Sequence, residues 1–291
     1  MTAPSLAPFA TLDRAAWAAL AAGGPGDDVL GPLARLVAVR REQDLRRRSA
    51  VAELSGALVR GGGGARGYVV AVAGGVAAGK SRIARELAAL LADHGAGPVA
   101  RISTDDFLLP NAELEARGLK ERKGFPESYD HTALVALLDA VRAGHGPVAV
   151  PVYAHRLQDR VPGETTTVDR PGVLIIEGLR SLAGPEAGEA VGVRDRVDLG
   201  IYVDAADEHA RGWYLERFRS WRVDAADDPG AFLHPLRAMP DVEADALALR
   251  VWDAVNAPNV RDHVLPTREH ADVVLRKGAG HEVTEVLVRR V

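Results

Sequence analysis

Gly74-Gly75-Val76-Ala77-Ala78-Gly79-Lys80-Ser81 has the spacing G-x-x-x-x-G-K-[ST]. Glycines so placed let backbone N–H groups close around phosphate oxygens, and a helix opening at the lysine adds its positive end. Lys80 would reach the β- and γ-phosphates as a mobile point charge, and Ser81 would offer its hydroxyl to Mg2+. The expected ligand is a nucleoside triphosphate, and Arg82, next on the same turn, is counted with its binding set. Ser103-Thr104-Asp105-Asp106-Phe107 then brings one or two carboxylates to the end of another apolar stretch. A carboxylate there can take the proton from a hydroxyl as it attacks phosphorus. Ile175-Ile176-Glu177-Gly178 ends a third stretch on an acid placed to orient Mg2+ or its water. Plainer readings stand beside these, a capping Asp and a solubilising acid at a strand end. The phosphate loop alone does not separate a small-molecule kinase from a GTPase, a motor or a regulator.

The elements that must carry these groups alternate in type. Tyr68 to Ala73 reads as a strand buried on both faces, followed by helical spacing through Ile83, Leu87, Leu90 and Leu91. Further strands are predicted at Pro98–Ser103, Val173–Ile176, Val197–Val203 and Asp272–Leu275. Helices are predicted at Thr132–Ala143, Ala206–Val223 and Val242–Val255. Val148–Tyr153 and Glu164–Val168 read as short strands flanking a loop, an excursion from the sheet. Strands alternating with helices predict an α/β fold with a doubly wound, mostly parallel sheet and ligands at the strands' carboxyl ends. Residues 1–60 read as an alanine-rich helical extension packing on the core, with helices over Leu12–Ala22 and from Gly31 or Pro32 to about Val59. Gly61 to Gly64 read as a flexible connector, so residues 61–291 form the expected phosphate-loop domain. The run Arg40, Arg41, Arg46, Arg47 and Arg48 reads as a solvated helix face, with a polyanion or partner contact as the lesser alternative.

Composition limits the partners. The 291 residues carry 36 basic and 40 acidic side chains, a formal charge of −4, which argues against a nucleic-acid binder. No run of about 18 apolar residues is present, so no membrane span is expected. Met1 to Ala10 shows no basic stretch ahead of an apolar one, so no secretory leader is expected and the location reads as cytoplasmic. With no cysteine, disulfides, thiolate metal sites and thiol nucleophiles are excluded together. Only four of the basic residues are lysines: Lys80, Lys120, Lys123 and Lys277. In a chain that uses arginine nearly everywhere, lysines point to places where a compact ammonium is required.

Larger motifs carry a resemblance. Lys123-Gly-Phe-Pro-Glu-Ser-Tyr129-Asp, Pro151-Val-Tyr153-Ala-His155, Glu177-Gly-Leu, Trp213-Tyr-Leu-Glu-Arg217-Phe and Leu265-Pro-Thr-Arg268 resemble bacterial type I pantothenate kinase. That family belongs to the P-loop kinases related to uridine kinase and phosphoribulokinase. The resemblance covers nearly the whole chain and implies a P-loop NTPase kinase fold. It implies transfer of the ATP γ-phosphoryl group to the primary hydroxyl of pantothenate, the first step of coenzyme A synthesis. Asp105 then aligns with the general base, Lys80 and Ser81 with the phosphate and Mg2+ residues, and Arg217 with the group that stabilises the transferring phosphoryl. Lys123, Tyr153, His155, Tyr214 and Asn256 align with residues that hold pantothenate. Arg85 aligns with a position for phosphates of ATP or of coenzyme A. The resemblance also implies a homodimer in which coenzyme A competes with ATP.

The match departs at the pocket. Asp106 stands where the family has glycine, Gln158 where it has a second tyrosine, and Arg180-Ser181-Leu182 where it has Asn-Val-Leu. Leu233 and Leu236 replace common aromatics. Asp106 beside Asp105 could raise the base's pKa, bind a cationic or polyhydroxylated acceptor, or pair with Arg180. Asp106, Gln158 and Arg180 are therefore counted as candidate acceptor contacts. A divergent kinase acting on another small alcohol, and a nucleotide-binding regulator without turnover, stay open beside the pantothenate kinase.

Overall fold

The computed structural model describes residues 8–19, 29–54, 66–93, 95–185 and 191–290. The Gly61–Gly64 connector and the stretch from 55 to 60 lie outside the described residues. The described strands are β1 (Phe9–Leu12), β2 (Tyr68–Gly74), β3 (Val99–Ser103), β4 (Val148–Ala154), β5 (Asp159–Val168), β6 (Val173–Glu177), β7 (Leu199–Ala205), β8 (Val273–Lys277) and β9 (Val283–Arg289). Seven form one sheet in the order β1-β9-β8-β7-β2-β6-β3, and β4 and β5 pair only with each other. β8, β7, β2, β6 and β3 run parallel, while β9 is antiparallel to both β8 and β1. The predicted doubly wound sheet is present, finished at one edge by an antiparallel pair.

The alternation of side chains along β2 explains the layers. Val69, Ala71 and Ala73 face one core, shared with Leu134, Leu137, Leu138 and Val141 of α5 (His131–Arg142). Tyr68, Val70 and Val72 face the other, shared with Leu33, Ala34 and Val37 of α2 (Leu30–Leu54) and Ile83, Leu87 and Leu91 of α3 (Lys80–Asp93). All seven residues of β2 are buried, as an apolar run between two helical layers requires.

The N-terminal segment opens differently from its predicted helical character. Phe9–Leu12 adds to β9 with Phe9 opposite Arg289, and α1 (Arg14–Ala18) begins only after Asp13 accepts the Ala16 N–H at 2.7 Å. Four residues are too few to show a strand period; the free edge of β9 decides their conformation. Trp17 on α1 is 1% exposed and donates its indole N–H to the Val29 carbonyl at 2.9 Å. α2 buries only its first turns. Arg46 pairs with Glu42, and Arg47 and Arg48 with Asp44, on the same helix.

Two further helices roof the sheet's carboxyl edge, α6 (Asp207–Asp224) and α7 (Asp241–Val251), and a short α4 (Asn111–Ala116) flanks it. The helix predicted to Val255 ends its α geometry at Val251 and widens to a π turn over Trp252–Asn256. Pro258 accounts for this. It has no N–H for the Ala254 carbonyl, and the Ala257 N–H bonds five residues back to Trp252.

Candidate active site

The phosphate loop lies between β2 and α3, where the motif places it. Gly74 has φ +144°, and a Cβ there would lie 2.4 Å from the Val203 carbonyl oxygen of β7, so only glycine fits. Gly79 has φ +91° and Ala77 φ 62°. Lys80 donates its ammonium to the Gly75 carbonyl at 2.8 Å. Ser81 donates its hydroxyl to Glu177 at 2.8 Å, joining the start of α3 to the end of β6. Burial pushes the Glu177 carboxyl up against the opposing pull of Lys80, and burial pushes Lys80 down against Glu177 and Asp105. Burial likewise lowers Arg217, whose charge meets Asp105. Lys80 and Asp105 thus lie within electrostatic reach of each other and of both Glu177 and Arg217.

These residues open on one cavity of about 940 Å3. Val76, Ala77, Lys80 and Ser81 line its nucleotide end, with Asp105 and Glu177 beside them. Lys123, Tyr153, His155, Gln158, Tyr214, Arg217 and Asn256 line the rest. Arg82 and Arg85 lie outside the lining, exposed on α3, and Arg82 pairs with Glu86 at 2.8 Å. The acceptor end is built from several elements. The β4–β5 hairpin brings Tyr153, His155 and Gln158; α6 brings Tyr214 and Arg217; the π turn brings Asn256, which hydrogen-bonds Tyr214. Trp221 ties the aromatic set together. The Arg217 guanidinium lies 4.7 Å from its ring centroid, and His155 stacks on it at 5.7 Å. Leu233 and Leu236 line the same wall beside Phe232.

Lys123 is held tightly. Its ammonium donates to Asn111 at 2.7 Å and to the Gln158 carbonyl, and it lies 5.1 Å from the Tyr153 ring centroid. Gln158 sits at the hairpin tip with φ 49°, accepts the Tyr153 hydroxyl at 3.3 Å and donates to the His155 carbonyl at 2.9 Å. Gln158 lines the cavity wall.

Asp106 and Arg180 behave otherwise than the sequence reading proposed. Asp106 accepts the Ser103 and Tyr153 backbone N–H groups, each at 3.0 Å, and does not line the cavity. It caps the short turn Thr104–Phe107 and fastens that turn to β4. Arg180 is 7% exposed, lies outside the lining, and its charge meets Tyr129 and Glu127. The compensating Asp106–Arg180 pair is therefore not formed; backbone N–H groups receive the Asp106 charge instead. A capping acid three residues after Ser103 has the same sequence signature as a ligand, which is why the pattern misled.

Two positions escaped the sequence reading. Asn111 links Lys123 to the hairpin, donating to the Gln158 carbonyl at 3.1 Å; an Asn after Pro carries no signal of this. Lys277, a lysine without a predicted role, donates to the Ala78 carbonyl at 3.1 Å beneath the phosphate loop. Its ammonium lies 5.2 Å from the Trp213 ring centroid, and His281 stacks on the same indole at 3.9 Å. Lysine scarcity was the available signal.

A phosphate loop on a doubly wound sheet, with a carboxylate and a guanidinium facing it across an acceptor cavity, defines a P-loop small-molecule kinase. The model of the phosphoribulokinase/uridine kinase family matches residues 69–228. A pantothenate kinase from Sorangium cellulosum is 48% identical over 78% of this chain and 74% of its own. Another from Xanthobacter autotrophicus is 39% identical over 99% of this chain and 98% of its own. Among solved structures, D-glycerate 3-kinase from Cryptococcus neoformans shares the fold, with TM-score 0.62, 16% identity, and coverage of 90% of this chain and 99% of that one. The chain belongs to the phosphoribulokinase/uridine kinase family and, within it, to the pantothenate kinases.

Proposed function

We propose that this enzyme transfers the γ-phosphoryl group of ATP to the primary hydroxyl of pantothenate. One observation carries the reading above all: the phosphate loop, Asp105 and Arg217 share a single cavity with the Lys123–Tyr153–His155 wall. Asp105 accepts the proton of the primary hydroxyl as its oxygen attacks phosphorus. Lys80 and Arg217 stabilise the charge spread over the equatorial phosphoryl oxygens. Lys123, Tyr153, His155, Tyr214, Asn256 and Gln158 hold the acceptor, whose carboxylate suits the basic and hydroxyl-bearing wall. Gly74 to Gly79, with Arg82 and Arg85, serve the nucleotide phosphates.

Mg2+ fits the residues present. The Ser81 hydroxyl and the Glu177 carboxylate, 2.8 Å apart, offer two oxygens, and this metal takes few protein ligands while keeping waters and substrate phosphates. Ser81 and Glu177 would hold the ion, which neutralises phosphate charge when bound. The same reading includes a homodimer, a cytoplasmic location, and competition of coenzyme A with ATP. No helix among the described residues is long and apolar enough to cross a membrane.

Asp105→Asn tests the assignment of the base. Turnover is expected to fall by about 10²- to 10⁴-fold, with ATP affinity nearly unchanged in a binding titration. Full activity in that variant removes Asp105 from the role. ADP release across a panel of alcohols tests the acceptor, since turnover only with a different alcohol overturns pantothenate.

A further inference from the structure

Tyr129 closes the segment that Lys123 opens, and the reaction described above gives it no part. The residue is 7% exposed, and its ring packs into the core with Phe107 and Leu108. The backbone fixes its position. Its N–H donates to Pro126 at 3.2 Å, the Asp130 N–H donates to Phe107 at 2.7 Å, and Tyr129 bridges to Leu108. The hydroxyl is buried with no hydrogen-bond partner among the described residues, and the side chain lines the acceptor cavity. A buried O–H left unpaired costs about 1–3 kcal/mol. Asp105, Glu177, Tyr153 and Arg180 are the groups whose charge reaches it. Burial and the two carboxylates keep the phenol protonated, so it can only serve as a donor or a weak acceptor at neutral pH.

Resting on the reading that the acceptor is pantothenate, we infer that Tyr129 determines acceptor specificity by donating a hydrogen bond to the secondary hydroxyl. The choice of oxygen follows from the chemistry. Donation to the attacking primary oxygen would withdraw the electron pair that must reach phosphorus, so it would oppose the transition state. The secondary hydroxyl of pantothenate stands in a 1,3-relation to the primary one, so it accompanies the reacting group to the region beside Asp105. An acceptor without that oxygen leaves the phenol dry and unpaired, which is how a buried donor rejects an analogue.

The test compares wild type and Tyr129→Phe on pantothenate and on its analogue lacking the secondary hydroxyl. Tyr129→Phe is expected to raise KM for pantothenate about tenfold, as loss of one hydrogen bond does, with KM for ATP unchanged. Its melting temperature should stay level or rise, because the variant removes an unpaired buried O–H. The analogue should cost the wild type a similar factor in kcat/KM and cost Tyr129→Phe nothing more. An unchanged KM for pantothenate in the variant overturns the inference. So does an analogue penalty that persists in the variant, or a fall in melting temperature with both KM values raised. Wild-type enzyme that fails to phosphorylate pantothenate overturns the proposed function itself and takes this inference with it; failure confined to the variant comparison overturns the inference alone.

Discussion

Lys123 shows how much a single residue's surroundings decide. Burial pushes its ammonium down to about 8, with only partial relief from Asp159 and Asp105. The cation is present below that pH and is lost as pH rises through it. KM for pantothenate, an anion, is therefore expected to climb above about pH 8 in steady-state assays. Lys123→Arg should remove that inflection, because a guanidinium keeps its charge throughout the range. An identical pH profile in the two enzymes would separate Lys123 from the acceptor's charge. Part of this was legible: Lys80, Ser81 and Asp105 were expected from type and spacing, and Lys123 and Arg217 only through the resemblance their motifs carry. What a carboxylate touches was not. Asp106 and Asp105 are neighbours of the same type, and only the fold turns one to the cavity and the other to backbone N–H groups.

At the scale of elements, Asp106 joins the turn after β3 to the hairpin strand β4, through Ser103 and Tyr153. Asp106→Ala leaves two backbone N–H groups without that acceptor. Chemical denaturation is expected to show a loss of about 1–2 kcal/mol, with the ranking of alcohol acceptors unchanged. A changed ranking would return Asp106 to the substrate-contacting set. The hairpin itself was readable from two short β-rich runs, and β2, β3, β6, β7 and β8 from apolar stretches with helices between them. The π turn at Trp252–Asn256 was not, because its cause is a missing donor at Pro258 and not a change in hydrophobic period. That widened turn nevertheless brings Asn256 to Tyr214.

For the whole molecule, we propose that the N-terminal extension, through its described residues 8–19 and 29–54, packs on the core as part of one folding unit with the kinase domain. β1 extends the sheet past β9, and Trp17 lies with Leu33 and Val37 in the same apolar layer as α3. Trp17→Ala should lower the unfolding free energy by about 3–5 kcal/mol, in one cooperative transition when followed by circular dichroism and by fluorescence of the other tryptophans. A small loss, or a separate early transition, would make the segment an appendage. Its strand was invisible in the sequence because four residues acquire β structure only from the edge they join.

The four lysines give the molecule a chemical property of its own. Lys80, Lys120 and Lys123 line the cavity, and Lys277 holds the Ala78 carbonyl beneath the phosphate loop. Apart from the chain's amino terminus, an acylating reagent meets no other amine in the sequence. Arginines clothe the surface and ignore such reagents, so modification of side-chain amines is directed to the cavity and the phosphate loop.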